Sequence, residues 1–148
     1  MDDPIDNDEA TPTFVYLVGR LNQGVRRELQ QRLSPHGLSV PQFTVLSVLK
    51  SRPGLSNAQL ARRSLITPQS MNVIVAELEE RDLVERRVDP AHNRILQTRL
   101  TAKGRGMVRR VAPIAQALQA ELLQDVPDHE RDIVVRGLEK AMRRLSSR

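Results

Sequence analysis

Residues 55–104 read LSNAQLARRSLITPQSMNVIVAELEERDLVERRVDPAHNRILQTRLTAKG, and their order decides the fold. Ser56-Asn-Ala-Gln59 is a capping box, in which the serine and glutamine side chains take up free backbone N–H groups of a first helical turn. It opens a short helix through Leu60 and Ala61 to Ser64. Thr67-Pro68 opens the next helix, since threonine caps and proline lacks an N–H that would go unpaired there. Met71, Ile74, Val75 and Leu78 then recur at helical spacing and are predicted to pack inward. Leu83–Val88 and Ile95–Leu100 are β-type runs around Asp89-Pro-Ala-His-Asn93, which carries turn chemistry. Two short helices, a tight turn and a hairpin outline a winged helix-turn-helix, which sets one helix in a DNA major groove and a loop beside it.

The flanks are helical. Thr11-Pro12 reads as a helix start, followed by Phe14, Leu17, Val18, Leu21, Val25, Leu29 and Leu33 in one apolar stripe that ends at Ser34-Pro35-His36-Gly37. Ser39-Val-Pro-Gln42 is a second capping box, before a helix that stops at Arg52-Pro53-Gly54. Thr101 caps a long helix through Val108, Val111, Ile114, Ala115, Leu118 and Leu122, with Pro113 predicted to kink or interrupt it. After Val126-Pro127-Asp128 a last helix carries Ile133, Val134, Leu138, Met142 and Leu145. The expected fold is mainly α (α+β). Residues 1–10 are expected to be an acidic disordered tail and residues 11–148 one domain. Within it, 37–104 is the winged lobe, and 11–36 with 105–148 supply helices whose spare apolar faces make a homodimer core.

Composition bounds the function. Asp2, Asp3, Asp6, Asp8 and Glu9 crowd the first ten residues; the rest of the chain sets 23 basic residues against 13 acidic, a net +10 that favours a polyanionic partner. Cysteine is absent, which excludes disulfides, thiol switches and Cys-based zinc sites. His36, His92 and His129 are scattered without metal-ligand spacing, so no metal or other cofactor is expected. No apolar run approaches a membrane span and no secretory signal is seen, so the expected location is the cytoplasm, with no membrane partner. Gly104-Arg-Gly106 lacks the rest of a phosphate loop, and no nucleophile elbow exists; no catalytic residue is assigned.

The helix after Thr67 presents Gln69, Ser70, Asn72, Val73, Ala76 and Glu77 away from its apolar face. Glutamine and asparagine can bond adenine edges in bidentate fashion, serine bonds several edges, and valine meets a thymine methyl. In the hairpin, Arg94 is placed to enter a minor groove, and Asp89 is expected to pair with it across the loop.

By Ile66-Thr-Pro-Gln-Ser-Met-Asn72, Leu78-Glu-Glu-Arg-Asp-Leu-Val-Glu-Arg86, Asp89-Pro-Ala-His-Asn-Arg94 and Leu100-Thr-Ala-Lys-Gly104, the chain resembles the MarR family of bacterial transcription regulators. The similarity runs from Thr13 to Arg144. It implies an obligate homodimer, a palindromic double-stranded DNA operator, and repression relieved by a small molecule. Carried onto this chain, base-edge or adjacent backbone contacts fall on Pro68, Gln69, Ser70, Asn72 and Val73. The wing pair falls on Asp89 and Arg94, and a phosphate contact on Ser56. Three positions depart from the family pattern: Asp82 stands where glycine is common, His92-Asn93 where the wing often reads Asp-Arg, and Val73 where many relatives carry a polar or basic contact. MarR-like proteins often bind phenolic or other aromatic anions between the dimer core and the DNA-binding lobe, where Tyr16, Arg20, Arg26 and His36 are the candidate lining groups. The alternatives are a DNA-binding regulator with no effector and a protein-interaction module on the same fold.

Overall fold

A computed structural model describes residues 12–146, so Thr11 and the acidic tail at 1–10 lie outside the described residues. Helix α1 (Phe14–Leu33) begins two residues later than expected, with Thr13 as its N-cap, its hydroxyl accepting from the Tyr16 N–H. A single 3-10 turn (Ser34–His36) ends on Gly37, whose φ of 68° is a left-handed conformation that glycine adopts without penalty. Helix α2 (Val40–Ser51) opens on the complete Ser39–Gln42 capping box.

Strand β1 (Leu55–Ser56) runs straight into α3 (Asn57–Ser64), whose capping box is also complete. Helix α4 (Pro68–Glu80) is capped by Thr67 and buries Met71, Val75 and Leu78, with Ile74 packed at the core margin. Strands β2 (Val84–Asp89) and β3 (His92–Leu100) form the hairpin, and β1 joins the other edge of β3 to give an antiparallel sheet in the order β1-β3-β2. The loop expected over 89–93 is therefore shorter. Only Pro90 and Ala91 turn, and β3 starts at His92, with the pairing register shifting between Val88 and Asp89.

Helix α5 (Ala102–Leu122) is uninterrupted. Pro113 faces solvent, and the buried Val108, Val111 and Leu118 hold the helix through the backbone hydrogen bond that proline cannot make. Helix α6 (Asp128–Ser146) follows the Val126-Pro127 break and buries none of its residues within one chain. The core gathers Leu33, Val45, Leu46 and Leu49 from the first two helices, and Leu38 from the link between them, around Leu60, Met71, Leu78, Leu83 and Val111. Its aliphatic character follows from the scarcity of aromatics. No helix among the described residues is long and apolar enough to cross a membrane.

Candidate nucleic-acid interface

Helix α4 inverts the usual charge order of a helix. Acids normally sit near the positive N-terminal end of the helix dipole and bases near the C-terminal end. Here the first turn holds no acid, the last turn holds no base, and Glu77, Glu79 and Glu80 crowd the rear. The front is left with its dipole uncompensated and with exposed Pro68, Gln69, Ser70, Asn72 and Val73, an arrangement suited to an anion supplied from outside. The side chains of Gln69 and Asn72 have no hydrogen-bond partner among the described residues, so their amides are free to read base edges. Ser70 differs: its hydroxyl accepts from Thr67 at 3.0 Å, which holds it at the mouth of the helix. Val73 is 58% exposed, a solvated apolar group on an otherwise polar face.

A cleft of about 400 Å³ separates the front of α4 from the hairpin, with Ser56, Asn57, Asn72, Arg86, Arg94 and Thr98 among its lining residues. Ser56 caps α3 with its hydroxyl 3.2 Å from the Gln59 N–H, and its own N–H bonds Gln59 Oε1 at 3.0 Å. Asn57 Nδ2 donates to the Pro68 carbonyl at 3.3 Å and ties the starts of the two helices together. The sequence-expected residues Ser56, Asn72 and Arg94 thus meet at one concave surface.

The structure does not bring Asp89 and Arg94 together. The Asp89 carboxylate accepts from the Ala91 N–H at 2.9 Å, folding the turn, while Arg94 is exposed and without a partner among the described residues. The physical reason is the short turn: Asp89 pairs with His92, so the expected loop-closing bond is replaced by a local one.

Sequence reasoning missed the clamp that does orient the hairpin. Arg86 forms a bidentate pair with Glu79, at 3.0 Å from Nε and 2.9 Å from Nη2. The arginine hydrogen bond holds the Glu79 carboxyl below its ordinary range, and the same bond raises Arg86. The signal was an acid near a helix end and a base on the returning strand, which becomes a pair only once the turn at Arg81-Asp82 is known.

The four effector candidates do not converge. Arg20 reaches Tyr16, with Nη1 3.3 Å from the phenol oxygen and the guanidinium carbon 5.9 Å from the ring centre. Arg26 lies farther along α1, and His36 follows the helix's far end. Tyr16 and Leu33 are separated by about 25 Å at the rise of an α-helix. One small ligand cannot touch both Tyr16 and His36 of a single chain. No group of three or more metal-binding side chains occurs among the described residues.

Residues 36–95 match the model of the MarR family. The HTH-type transcriptional repressor Rv2887 of Mycobacterium tuberculosis is 37% identical over 125 residues, covering 84% of this chain and 90% of that protein. A crystal structure of Rv2887 in complex with DNA superposes with a TM-score of 0.73 at 34% identity, covering 88% of this chain and 98% of the other. Rv2887 with salicylic acid gives 0.71 at 36% identity, covering 90% and 98%. A MarR family regulator from Silicibacter pomeroyi, 23% identical, superposes over the whole of both chains with a TM-score of 0.87 and supports the fold alone.

Proposed function

The chain belongs to the MarR family of transcriptional regulators, and from that premise we propose that it is a homodimeric repressor that reads palindromic DNA operators and is released by a small aromatic anion. The observation that carries the DNA reading is the charge order of α4, with no acid at its exposed front and three acids at its rear. Such an order weakens an isolated helix and is repaid when phosphates stand at the front. Pro68, Gln69, Asn72 and Val73 face the bases, Ser70 is held beside them, Ser56 meets a phosphate, and Arg94 enters the neighbouring minor groove from the hairpin. Asp89 acts by shaping the turn that carries Arg94.

The homodimer is supported by apolar surface that one chain leaves open. Phe14, Val15 and Leu17 on α1 are each more than half exposed, as are Ile133, Met142 and Leu145 on α6. A 19-residue helix with no buried residue is only partly supported within one chain, where Val134, Val135 and Leu138 edge a groove against α1 and α5, and a second copy of α1 and α6 completes that support. Two-fold symmetry then sets the two recognition helices about 34–36 Å apart, one turn of DNA.

Aromatic-anion release is supported by the salicylic acid complex of Rv2887. Tyr16 and Arg20 are the residues that retain the chemistry for it, a ring with a guanidinium beside it. The test starts with the DNA fragments the protein retains from a genomic pool. A palindromic consensus and a steep loss of affinity with salt are expected. Salicylate added to that complex then lowers operator affinity. Retained fragments without two-fold symmetry overturn the dimeric reading. Unchanged affinity with salicylate and related aromatic acids favours the regulator without an effector. Retention of no DNA at all favours the protein-interaction module.

A further inference from the structure

We infer that Gln42, which lies outside the candidate interface, is a positioning residue for base reading, acting through Glu77 on the rear of the recognition helix. The inference rests on the DNA-binding reading above. The corner between α1 and α2, residues 34–42, is docked against α4 by two polar bonds. Gln42 Nε2 donates to Glu77 Oε2 at 2.9 Å, and Arg81 Nη1 donates to the Gly37 carbonyl at 2.6 Å. Glu77 and Arg81 lie one turn apart and so share a face of α4.

The Gln42 amide works at both ends. Its Oε1 accepts from the Ser39 N–H at 3.1 Å, closing the capping box of α2, while Nε2 holds Glu77. Only this orientation of the amide satisfies both partners, because the Ser39 N–H requires an acceptor and the Glu77 carboxylate a donor. The start of α2 and the rear of α4 are therefore registered through one planar group.

Apolar packing of Met71, Val75 and Leu78 keeps α4 in the core, but the driving force for it is non-directional. Hydrogen bonds are directional and fix the angle. From Glu77 to Gln69 the helix rises about 12 Å, so a tilt of about 5° at the rear carries the front by about 1 Å. A shift of that size spoils a bidentate bond to a base edge while leaving phosphate contacts of flexible side chains in place.

The test separates capping from docking. Gln42→Glu keeps an acceptor for the Ser39 N–H, since glutamate serves equally at this place in a capping box. It replaces the donor facing Glu77 with a like charge. Affinity for the operator taken from the retained fragments is expected to fall roughly five- to twentyfold, the scale of a typical coupling between sites. Affinity for a scrambled duplex of the same length and the helix content by circular dichroism are expected to stay unchanged. The double variant Gln42→Glu/Glu77→Gln rebuilds the bond with donor and acceptor exchanged, and recovers operator affinity to within about twofold. Operator binding by Gln42→Glu equal to wild type overturns the inference, as does a double variant no better than the single one. An equal loss on operator and scrambled DNA also overturns it, since that loss is not one of base reading. A wild-type protein that retains no DNA overturns the DNA-binding reading itself, a result distinct from these.

Discussion

Gly104→Ala tests the joint between the winged lobe and the long helix. A Cβ at Gly104 would lie 1.9 Å from the Leu83 carbonyl oxygen, where real Cβ atoms essentially never come within 3.0 Å, and 3.4 Å from Leu100 Cδ2. The obstacle is backbone and cannot swing aside, so the start of α5 must retreat from β2 by about 1 Å. The same carbonyl accepts the Thr101 N–H at 3.2 Å, and the Thr101 hydroxyl both caps the Gly104 N–H at 3.0 Å and donates to the Asp82 carbonyl. Retreat stretches all three bonds. Overpacking at a closed site costs about 3 kcal/mol, and loss of the cap about 1 kcal/mol. Alanine returns about 1 kcal/mol of helix propensity. The net loss is about 3 kcal/mol, or about 6–12 °C in melting temperature for a domain of this size. The assay is a thermal melt followed by circular dichroism at fixed protein concentration. Gly106→Ala is the control, because its Cβ would meet nothing nearer than 3.8 Å and should gain stability by up to about 1 kcal/mol. A Gly104→Ala protein that melts with wild type, or with the Gly106→Ala control, refutes the close-approach argument.

Leu65, 89% exposed at φ 54°, strains the turn between α3 and α4, so Leu65→Gly should raise stability by about 0.5–1 kcal/mol in urea titration. Asp82→Gly at φ 58° should gain less, because aspartate tolerates this region; a loss at Leu65 would show that the strain is absent. Arg94→Ala is expected to weaken binding to every duplex, most with A·T-rich flanks, and to lower the salt slope by about one; unaltered binding removes the hairpin from the interface. Arg86 depresses the Glu79 carboxyl, so the folded state gives up that charge at lower pH than the unfolded chain does. The pair's stability is present near neutrality and is lost as pH falls through the depressed value. The deficit of Glu79→Gln relative to wild type should therefore shrink in acid, and a deficit independent of pH argues against the clamp.

Most helices were legible because their start signals are local. The Ser39–Gln42 and Ser56–Gln59 boxes, Thr67-Pro68 and Thr101 each satisfy N–H groups within three residues, and each caps as expected. The first helix is capped by the same chemistry at Thr13, two residues beyond the expected start signal. Strand β1 was not legible: two residues carry no periodicity, and its partners Thr98 and Gln97 come from the far side of the lobe. The hairpin boundary failed because Asn93 and Arg94 read as loop residues, yet the Asp89–His92 pair closes the hairpin beyond them and leaves them within β3 at the register shift after Val88. In the candidate site, residue type nominated Gln69, Asn72 and Arg94, all exposed in the structure, whereas the Glu79–Arg86 and Gln42–Glu77 bonds depend on a third dimension that spacing does not hold. The effector candidates were gathered by chemistry, and the length of α1 then divided Tyr16 and Arg20 from His36.

These bonds divide α4 into two halves with different mechanics. In the rear half, Glu77 is held from α2, Glu79 from β2 and the Arg81 side chain from the Gly37 corner, while Lys103 Nζ on α5 bonds the Arg81 carbonyl at 2.9 Å. In the front half, Gln69 and Asn72 are exposed and bonded to nothing else among the described residues, and Ser70 is held only by the local cap. Ordering a free side chain on binding costs about 0.5–1.5 kcal/mol, whereas ordering a helix costs far more. A reader built in this way keeps its backbone fixed and spends only side-chain freedom on each base. On the proposed function, release of DNA is expected to come most cheaply from moving the elements that grip the rear, since Gln42, Gly37 and Lys103 sit on the corner and on α5 rather than on the candidate reading surface. In the proposed homodimer, a change in the spacing of the two lobes is expected to abolish palindrome reading while every residue at the front of α4 keeps its place within its own lobe.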